Sequence, residues 1–367
     1  MINLKYYPAG ISFFLFISLG SLAAEISITA TMPTLGPGMA RLEALLSESL
    51  GPSLAEVENT FNDLLDKPEL TGAFSTASAL NGTLPLQGSL VRASEYSFAF
   101  GSYGTLYSNT FDADSLNDQF SDMEEDDDFT FGVNLLLVNT SFTLPLDQLI
   151  SHTTGYLSLA YADLSSEDYY LKNFFVQAAL GYPVLKEIRR RKLLVWTPLY
   201  GQCGLSFAYS KIGALVDAGT ITDNFELDPD GSGPLLPQNV SVQIEPSGDV
   251  GLETHMGTLS FSLSSAISLL ETFHYYVGAG ISFSLGRTDI SVESFENITV
   301  LGYLSNLIEK DGSVRVSGNV DGSRPEAVLT YFYTGIQLDV SSIFLNIPFS
   351  FSPGSAVSTG LSVGISL

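Results

Sequence analysis

The chain alternates apolar and polar residues at a period of two over its last thirteen positions, Ser355 to Leu367. Valine, threonine, leucine and isoleucine occupy one face of this segment, and serine and glycine occupy the other. Such alternation predicts a β-strand with one apolar side and one small, polar side. The segment is also about as long as a tilted strand that crosses a membrane. It therefore predicts a membrane-spanning strand at the carboxyl end of the chain.

Similar alternation recurs upstream and predicts about ten strands, with roughly 8 to 14 as the alternatives. The predicted strands are residues 88–101, 128–143, 153–164, 169–182, 193–211, 251–267, 272–287, 326–340, 343–352 and 356–367. If the last strand ends in the periplasm, the long links 102–127, 212–250 and 288–325 all fall at the opposite end. Short periplasmic turns and long external loops are typical of outer-membrane barrels. The pattern thus predicts an all-β fold, a transmembrane antiparallel up-and-down β-barrel with a short N-terminal helical segment.

The pattern changes to helical spacing between Gly38 and Asp66, before the first strand. The apolar residues at this spacing that form a candidate plug are Leu42, Leu45, Leu46, Phe61, Leu64 and Leu65. Short amphipathic helices are marginal in water unless another surface covers their apolar faces. We expect these helices at the periplasmic end of the barrel. We expect residues 25–37 to be irregular and residues 71–85, rich in Ser, Thr, Ala and Gly, to form a linker or loop.

The first 24 residues have the organisation of a secretory signal peptide. Lys5 gives a positive start, an apolar core runs from Ile11 to about Leu19, and small residues lead up to Ala24. This core is shorter than a membrane-spanning helix requires, so we expect cleavage after it and not a retained anchor. The predicted domains are 1–24, the signal peptide, 25–86, the helical plug and linker, and 87–367, the barrel.

The composition narrows the class of protein further. Charged residues make up 15% of the chain and the mean hydropathy is +0.24, whereas about a quarter of the residues in soluble domains are charged. No second long apolar run follows the signal peptide, which excludes a helical membrane protein. A barrel reconciles both facts, because its apolar residues are spread over alternating strands. The net charge of -25 argues against binding of nucleic acid.

One predicted strand carries the residues that we expect to face the lumen. They are His274, Gly278, Gly280, Ser282 and Ser284. Such small side chains leave space, which water, a ligand or another part of the chain must fill. The spacing of the three histidines fits no local metal site, and no nucleophile motif is present. We therefore predict no enzyme activity, no catalytic or metal-binding residue and no cofactor.

The order of signal peptide, helical segment and barrel resembles that of bacterial outer-membrane β-barrel proteins. More loosely it is similar to the long-chain fatty-acid transporter type, through Gly38–Asp66 and Gln87–Leu367. That type has a helical hatch inside the lumen. The resemblance implies location in the cell outer membrane, contact with outer-membrane lipid and recognition of the C-terminal strand by the barrel-assembly machinery. Such barrels usually end in an aromatic residue, whereas this chain ends in Leu367.

Two functions remain open at this point. The first is a plugged barrel that passes or binds small hydrophobic molecules, because the lumen residues are small, the helices are apolar and no dense ring of lumen charges is predicted. The alternative is a surface-exposed adhesin or receptor in which the barrel is only an anchor and the acidic loops carry the function. A secreted soluble β-protein is a third interpretation.

Overall fold

A computed structural model of the chain gives the fold described below. It describes residues 25–35, 68–86, 95–108, 131–147, 149–166, 169–185, 187–190, 193–217, 221–227, 238–244, 247–301, 308–320, 322–353 and 356–367, together with Ala44, Glu48 and Ser305. The candidate plug residues Leu42, Leu45, Leu46, Phe61, Leu64 and Leu65 lie outside these described residues.

The described residues form strands and one α-helix. The strands are β1 (Glu25–Thr31), β2 (Thr34–Leu35), β3 (Ser97–Ser108), β4 (Phe131–Pro145), β5 (Thr154–Ser165), β6 (Tyr169–Pro183), β7 (Ile188–Arg190), β8 (Leu194–Asp217), β9 (Ile221–Leu227), β10 (Gln238–Ile244), β11 (Ser247–Leu269), β12 (Phe273–Leu301), β13 (Ile308–Lys310), β14 (Gly312–Val320), β15 (Val328–Val340), β16 (Ile343–Ser352) and β17 (Ala356–Ser366). The helix is α1 (Pro68–Asn81), and a 3-10 turn follows it at Leu84–Leu86. No helix in the described part of the chain has both the length and the apolarity needed to cross a membrane.

Ten of the described strands close into a barrel. The order around the wall is β3, β4, β5, β6, β8, β11, β12, β15, β16 and β17, and β17 pairs with β3 to close the ring. Every one of these pairings is antiparallel. Burial alternates along the strands, as in β15, where every second residue from Leu329 is covered. The predicted fold class and the strand number are thus confirmed.

The links between strands differ in length at the two ends of the barrel. The long links β3–β4, β8–β11 and β12–β15 all lie at one end, which we call the long-loop end. The opposite end, the short-turn end, carries the tight hairpins at 270–272 and 341–342. Leu270, Glu271 and Ser341 adopt the positive φ values that such tight hairpins need.

The wall continues past the barrel at the long-loop end as a sheet extension. It consists of the distal parts of β8, β11 and β12, to which β14, β1 and the β9–β10 hairpin are added. Residues 25–37, predicted to be irregular, instead contain β1 and β2, so that prediction was wrong. In β1, Ile26, Ile28 and Ala30 do alternate with polar residues, but the segment is only seven residues long and its partner, β14, lies far away in sequence.

Tyrosine rings cover the glycines of the inner wall. Gly278 and Gly280 of β12 lie directly opposite Tyr333 and Tyr331 of β15, and a Cβ added at either glycine would overlap the facing ring. Tyr276 faces Gly335 in the same way, and all three tyrosines are buried. Of the three fillers expected from the sequence, which were water, a ligand or another part of the chain, the third occupies the space over these glycines. Much of that space is filled by aromatic side chains from the neighbouring strand.

Gly280→Ala is expected to lower the free energy of unfolding by about 1–3 kcal/mol, because the added methyl group collides with the Tyr331 ring. Gly257→Ala is the matched control, since a Cβ there meets only the Leu285 carbonyl oxygen at 3.6 Å. Urea unfolding of both variants in detergent micelles measures the difference. Equal stability of the two variants would contradict the Tyr–Gly packing.

Candidate functional site

Helix α1 lies inside the barrel. It contacts β3, β4, β11, β12 and β17, and the residues from Ser75 to Asn81 are buried without exception. Pro68 suits its first turn, where no intrahelical partner is needed for the missing N–H. The prediction that residues 71–85 form a linker or loop was wrong. Their small, hydroxyl-rich side chains are typical of loops in water, but they also give a helix that is slim enough for a narrow lumen.

Hydroxyl groups hold the first half of α1 at the long-loop end of the lumen. The backbone N–H of Ser323 donates to Thr71 Oγ1 at 2.7 Å, and that of Glu326 donates to Thr76 Oγ1 at 3.4 Å. The hydroxyls of Ser75 and Thr288 are 2.7 Å apart, and both residues are fully buried. These bonds are neutral, so each contributes only about 1 kcal/mol net.

Two apolar clusters receive the last turn of α1 in the middle of the lumen. Leu80 packs among Tyr276, Tyr331 and Tyr333, and Leu84, in the 3-10 turn that follows α1, packs in a second cluster made of wall residues and Ala79 of α1. The second cluster contains Ala79, Tyr103, Leu136, Ala160, Phe175, Ala208 and Met256. Both leucines have no exposed surface, so each contributes about 1.5–3 kcal/mol of hydrophobic stabilisation.

The wall is incompletely paired beside α1. β4 pairs with β5 only over 139–145 and 154–160. Towards the long-loop end, residues 131–136 of β4 pair with β3, and residues 161–165 of β5 pair with β6, but the ladders show no pairing between residues 131–138 of β4 and residues 161–165 of β5. We call this unpaired stretch the β4–β5 seam. At membrane depth, unpaired backbone groups need other partners.

Side-chain amides supply partners at the β4–β5 seam. Asn81 at the end of α1 donates from Nδ2 to the Asn134 carbonyl at 3.1 Å and to Asn134 Oδ1 at 2.6 Å. Asn173 of β6 donates from Nδ2 to the Leu135 carbonyl. On the outer surface the seam is flanked by the exposed side chains of Leu135 and Tyr161. The helix and the seam are therefore joined by hydrogen bonds.

Several buried oxygens around the end of α1 have no hydrogen-bond partner within the described part of the chain. They are Ser78 Oγ, Asn81 Oδ1, Asn173 Oδ1, Gln177 Oε1 and Ser210 Oγ. A buried polar group left unpaired costs about 1–3 kcal/mol. The polar contact between α1 and the wall is consequently less complete than the apolar contact of Leu80 and Leu84.

The structure places the sequence-predicted lumen residues on the inner face of β12. His274, Ser282 and Ser284 are buried there, and Gly278 and Gly280 lie under the tyrosine rings. Sequence analysis missed the facing tyrosines, although the alternation of Tyr331 and Tyr333 with outward residues could have indicated them.

His274 belongs to a polar group near the short-turn end. Its Nδ1 lies 2.7 Å from Ser268 Oγ, and its Nε2 lies 2.9 Å from Asp339 Oδ2, without hydrogen-bond angles. Gln337 Nε2 donates to the other oxygen of Asp339 at 2.8 Å. In serine hydrolases the carboxylate is bonded to Nδ1 and the serine to Nε2, which is the reverse of this arrangement. No group of three His, Cys, Asp or Glu residues in the described part of the chain could hold a metal ion.

The outer surface changes from apolar to charged near the long-loop end. Asp163, Lys172, Lys211 and Glu253 are direct neighbours across β5, β6, β8 and β11. Two residues nearer the short-turn end, the same strands carry Tyr161, Phe174, Tyr209 and His255 in the same way. Beyond the charged row, burial and then the Asp249 carboxylate raise the pKa of Tyr170 to about 12. A charged row above an aromatic row is typical of a membrane–water interface.

Comparisons with known proteins give one family and several distant structural likenesses. The family model described as Lsa36-like matches residues 21–367. No curated protein matches the chain. Among solved structures, the translocator domain of the autotransporter NalP from Neisseria meningitidis is 10% identical with a TM-score of 0.27, covering 80% of this chain and 100% of that chain. The CymD monoaromatic hydrocarbon channel is 8% identical with a TM-score of 0.26, covering 82% of this chain and 98% of that chain. The Pseudomonas putida toluene transporter TodX is 10% identical with a TM-score of 0.24, covering 81% and 96% respectively.

Proposed function

This chain belongs to the Lsa36-like family, and we propose that it is an outer-membrane β-barrel that is closed by its own helix α1 and passes small uncharged molecules when α1 moves. The observation that carries the proposal is the hydrogen bond from Asn81 to the Asn134 backbone carbonyl. Through it, one helix both fills the lumen and holds the incompletely paired part of the wall. A displacement of α1 would open both the lumen and the incompletely paired part of the wall.

The outer surface supports location in a membrane. Outward residues of β12 from Tyr275 to Leu285 are apolar, and the next outward residue on that strand is Arg287. An apolar band of this kind is about 25 Å tall in outer-membrane barrels. The same barrels carry their long loops outside the cell and their short turns in the periplasm. We therefore assign the long-loop end to the cell exterior.

The lining of the lumen supports an uncharged cargo. Asparagine, glutamine, serine, threonine and tyrosine dominate the buried wall residues, and the His274–Asp339 contact lies near the short-turn end. Amide and hydroxyl groups bind neutral hydrogen-bonding molecules without the desolvation cost that ions incur. The hydrophobic ligand expected from the sequence is replaced in this proposal by a small neutral molecule that forms hydrogen bonds.

The sheet extension favours a second candidate function, a surface receptor or adhesin anchored by the barrel. β12 continues for sixteen residues beyond Leu285, and β14 and β1 widen the sheet there. Loops carry function more often than the scaffold that holds them. In this case α1 would be a permanent seal.

A disulfide that locks α1 to the wall separates the two candidates. Ser75→Cys and Thr288→Cys are combined in a Cys203→Ser chain, since the replaced hydroxyls are 2.7 Å apart. We expect liposomes that contain the oxidised protein to take up the neutral sugar arabinose more slowly than the same liposomes after reduction, because α1 can move only in the reduced form. Liposome swelling measures both rates.

A matched disulfide within the wall controls for cross-linking itself. Thr258→Cys and Ser284→Cys join β11 to β12, where the hydroxyls are 3.3 Å apart, and should leave uptake unchanged on oxidation. Equal uptake in the locked and reduced forms would contradict passage gated by α1. Absence of uptake in both forms would support the anchored receptor.

A further inference from the structure

The N-terminal strand lies at the long-loop end of the barrel. β1 pairs with β14 from Glu25 opposite Asn319 to Thr31 opposite Ser313. β14 in turn pairs with β12 over 290–298, which is farther from the short-turn end than the charged row at Glu253 and its neighbour Asp289. The start of the chain that follows the predicted signal peptide is thus placed beyond the apolar band.

Helix α1 also begins at the long-loop end. Thr71 and Ser75 contact Ser323 and Thr288, which lie at the level of the charged row. β1 and the first turns of α1 therefore lie at this same end of the barrel.

The chain then runs through the lumen towards the short-turn end. Leu80 packs against Tyr276 and Tyr331 in the middle of the wall. The turn at Leu84–Leu86 contacts β16 and β17. By Tyr96, whose carbonyl accepts a hydrogen bond from the N–H of Leu367 at 2.8 Å, the chain has reached the short-turn end. β3 starts there and turns back into the wall.

We propose that this barrel displays its own N-terminal strand β1 on the side of the long loops, with α1 and the turn at Leu84–Leu86 threaded through the lumen. The sequence predicted the opposite side, because the first wall strand starts at the short-turn end. The assignment of that side to the cell exterior rests on the orientation in the proposed function. The threading itself rests only on the contacts of β1 and α1.

Threading constrains how the barrel assembles. The ladder between β3 and β17 closes the wall around α1. A chain that enters a closed barrel would have to pull residues 25–67, with their charged side chains, through a lumen filled by tyrosines. Segment 25–67 is therefore brought across before or while β3 and β17 pair.

Cysteine labelling on intact cells tests whether β1 is exposed on the outer surface of the cell. Single cysteines are placed in the Cys203→Ser chain at three exposed positions: Thr31→Cys in β1, Ser166→Cys in the turn after β5 at the long-loop end, and Ser342→Cys in the tight short-turn hairpin. A membrane-impermeant maleimide is added before and after permeabilisation. We expect Thr31→Cys to label on intact cells to the same extent as Ser166→Cys, whereas Ser342→Cys labels only after permeabilisation.

The outcomes test two claims separately: that β1 lies on the side of the long loops, and that this side is the cell exterior. If Thr31→Cys is protected or labelled under the same conditions as Ser342→Cys, and not under those of Ser166→Cys, the threading is overturned. Labelling of Ser342→Cys on intact cells, with both other positions protected, reverses the orientation and contradicts the proposed function, but leaves Thr31 on the side of the long loops.

A second measurement tests the strand pairing that carries the inference. Thr29 and Arg315 are direct partners in β1 and β14, and both are exposed. Thr29→Cys with Arg315→Cys is expected to form a disulfide on intact cells, seen as a mobility shift that reduction reverses. Thr29→Cys with Ser342→Cys should form none. Cross-linking of the second pair and not the first would overturn the proposal.

Discussion

Ile281→Arg is expected to lower the stability of the assembled barrel by about 2–4 kcal/mol, the cost of a cation at the lipid-facing midplane of an outer-membrane barrel. Ile281 faces outward from β12, one residue from the centre of the apolar stretch between Tyr275 and Leu285, and its inward neighbours Gly280 and Ser282 lie in the lumen. The loss of stability should appear as a lower urea midpoint in lipid vesicles and as a smaller folded fraction on unheated gels.

Phe295→Arg is the matched control. Phe295 lies on the same strand and the same face, but fourteen residues along, in the sheet extension, where 62% of its surface is exposed. An arginine there stays in water but lies directly opposite Arg315 of β14, so the loss of stability should stay below about 1 kcal/mol. If Phe295→Arg were the more harmful substitution, the apolar band would be assigned to the wrong part of the wall.

The strands of the wall could be predicted because their signal is local. Alternation with a period of two depends only on which face of a strand meets lipid and which meets the lumen. β15, β16 and β17 were predicted within two residues of their observed bounds. The closure of the ring also follows from local facts, since consecutive antiparallel strands pair with their neighbours and a membrane tolerates no open edge.

The contents of the lumen could not be predicted, because they depend on contacts between distant segments. α1 is rich in Ala, Ser and Thr, and its sequence carries no apolar stripe, since a helix that is buried on all sides by a polar wall needs none. Its partners Thr288 and Ser323 are more than two hundred residues away. The apolar stripe within residues 38–66 was the reason for predicting a plug in that segment, and that prediction remains untested.

The β4–β5 seam shows the same limit at a finer scale. Residues 135–138 form a continuous apolar run inside the predicted strand 128–143, and nothing in that run indicates where pairing with a neighbouring strand ends. What changes the pairing is a register shift opposite Gly101 and Tyr103, together with the amides of Asn81 and Asn173 that bond to β4 carbonyls. Such bulges leave no compositional mark when the bulged residues are themselves apolar, as Leu137 and Val138 are.

Replacing Thr71–Leu84 by a glycine–serine sequence of equal length is expected to raise the single-channel conductance in planar bilayers well above that of the native protein. The replacement keeps the connection from β1 to β3 but removes the side chains of Leu80 and Leu84, which fill the centre of the lumen, and of Asn81, which holds the β4–β5 seam. The wall should still form, because its ten ladders do not use α1. Retained heat-modifiable mobility checks this.

The control is the same replacement over residues 53–66, which contains Phe61, Leu64 and Leu65 of the segment that the sequence favoured as the plug. This variant should conduct like the native protein, because the contacts that fill the described lumen come from α1. A rise in conductance only in this control would mean that residues 53–66, and not α1, plug the lumen. Unchanged conductance in both variants would mean that the tyrosine-lined wall is closed without help, since Tyr103, Tyr276, Tyr331 and Tyr333 already lie across its glycines. The barrel would then be an anchor, and its function would lie in the sheet extension.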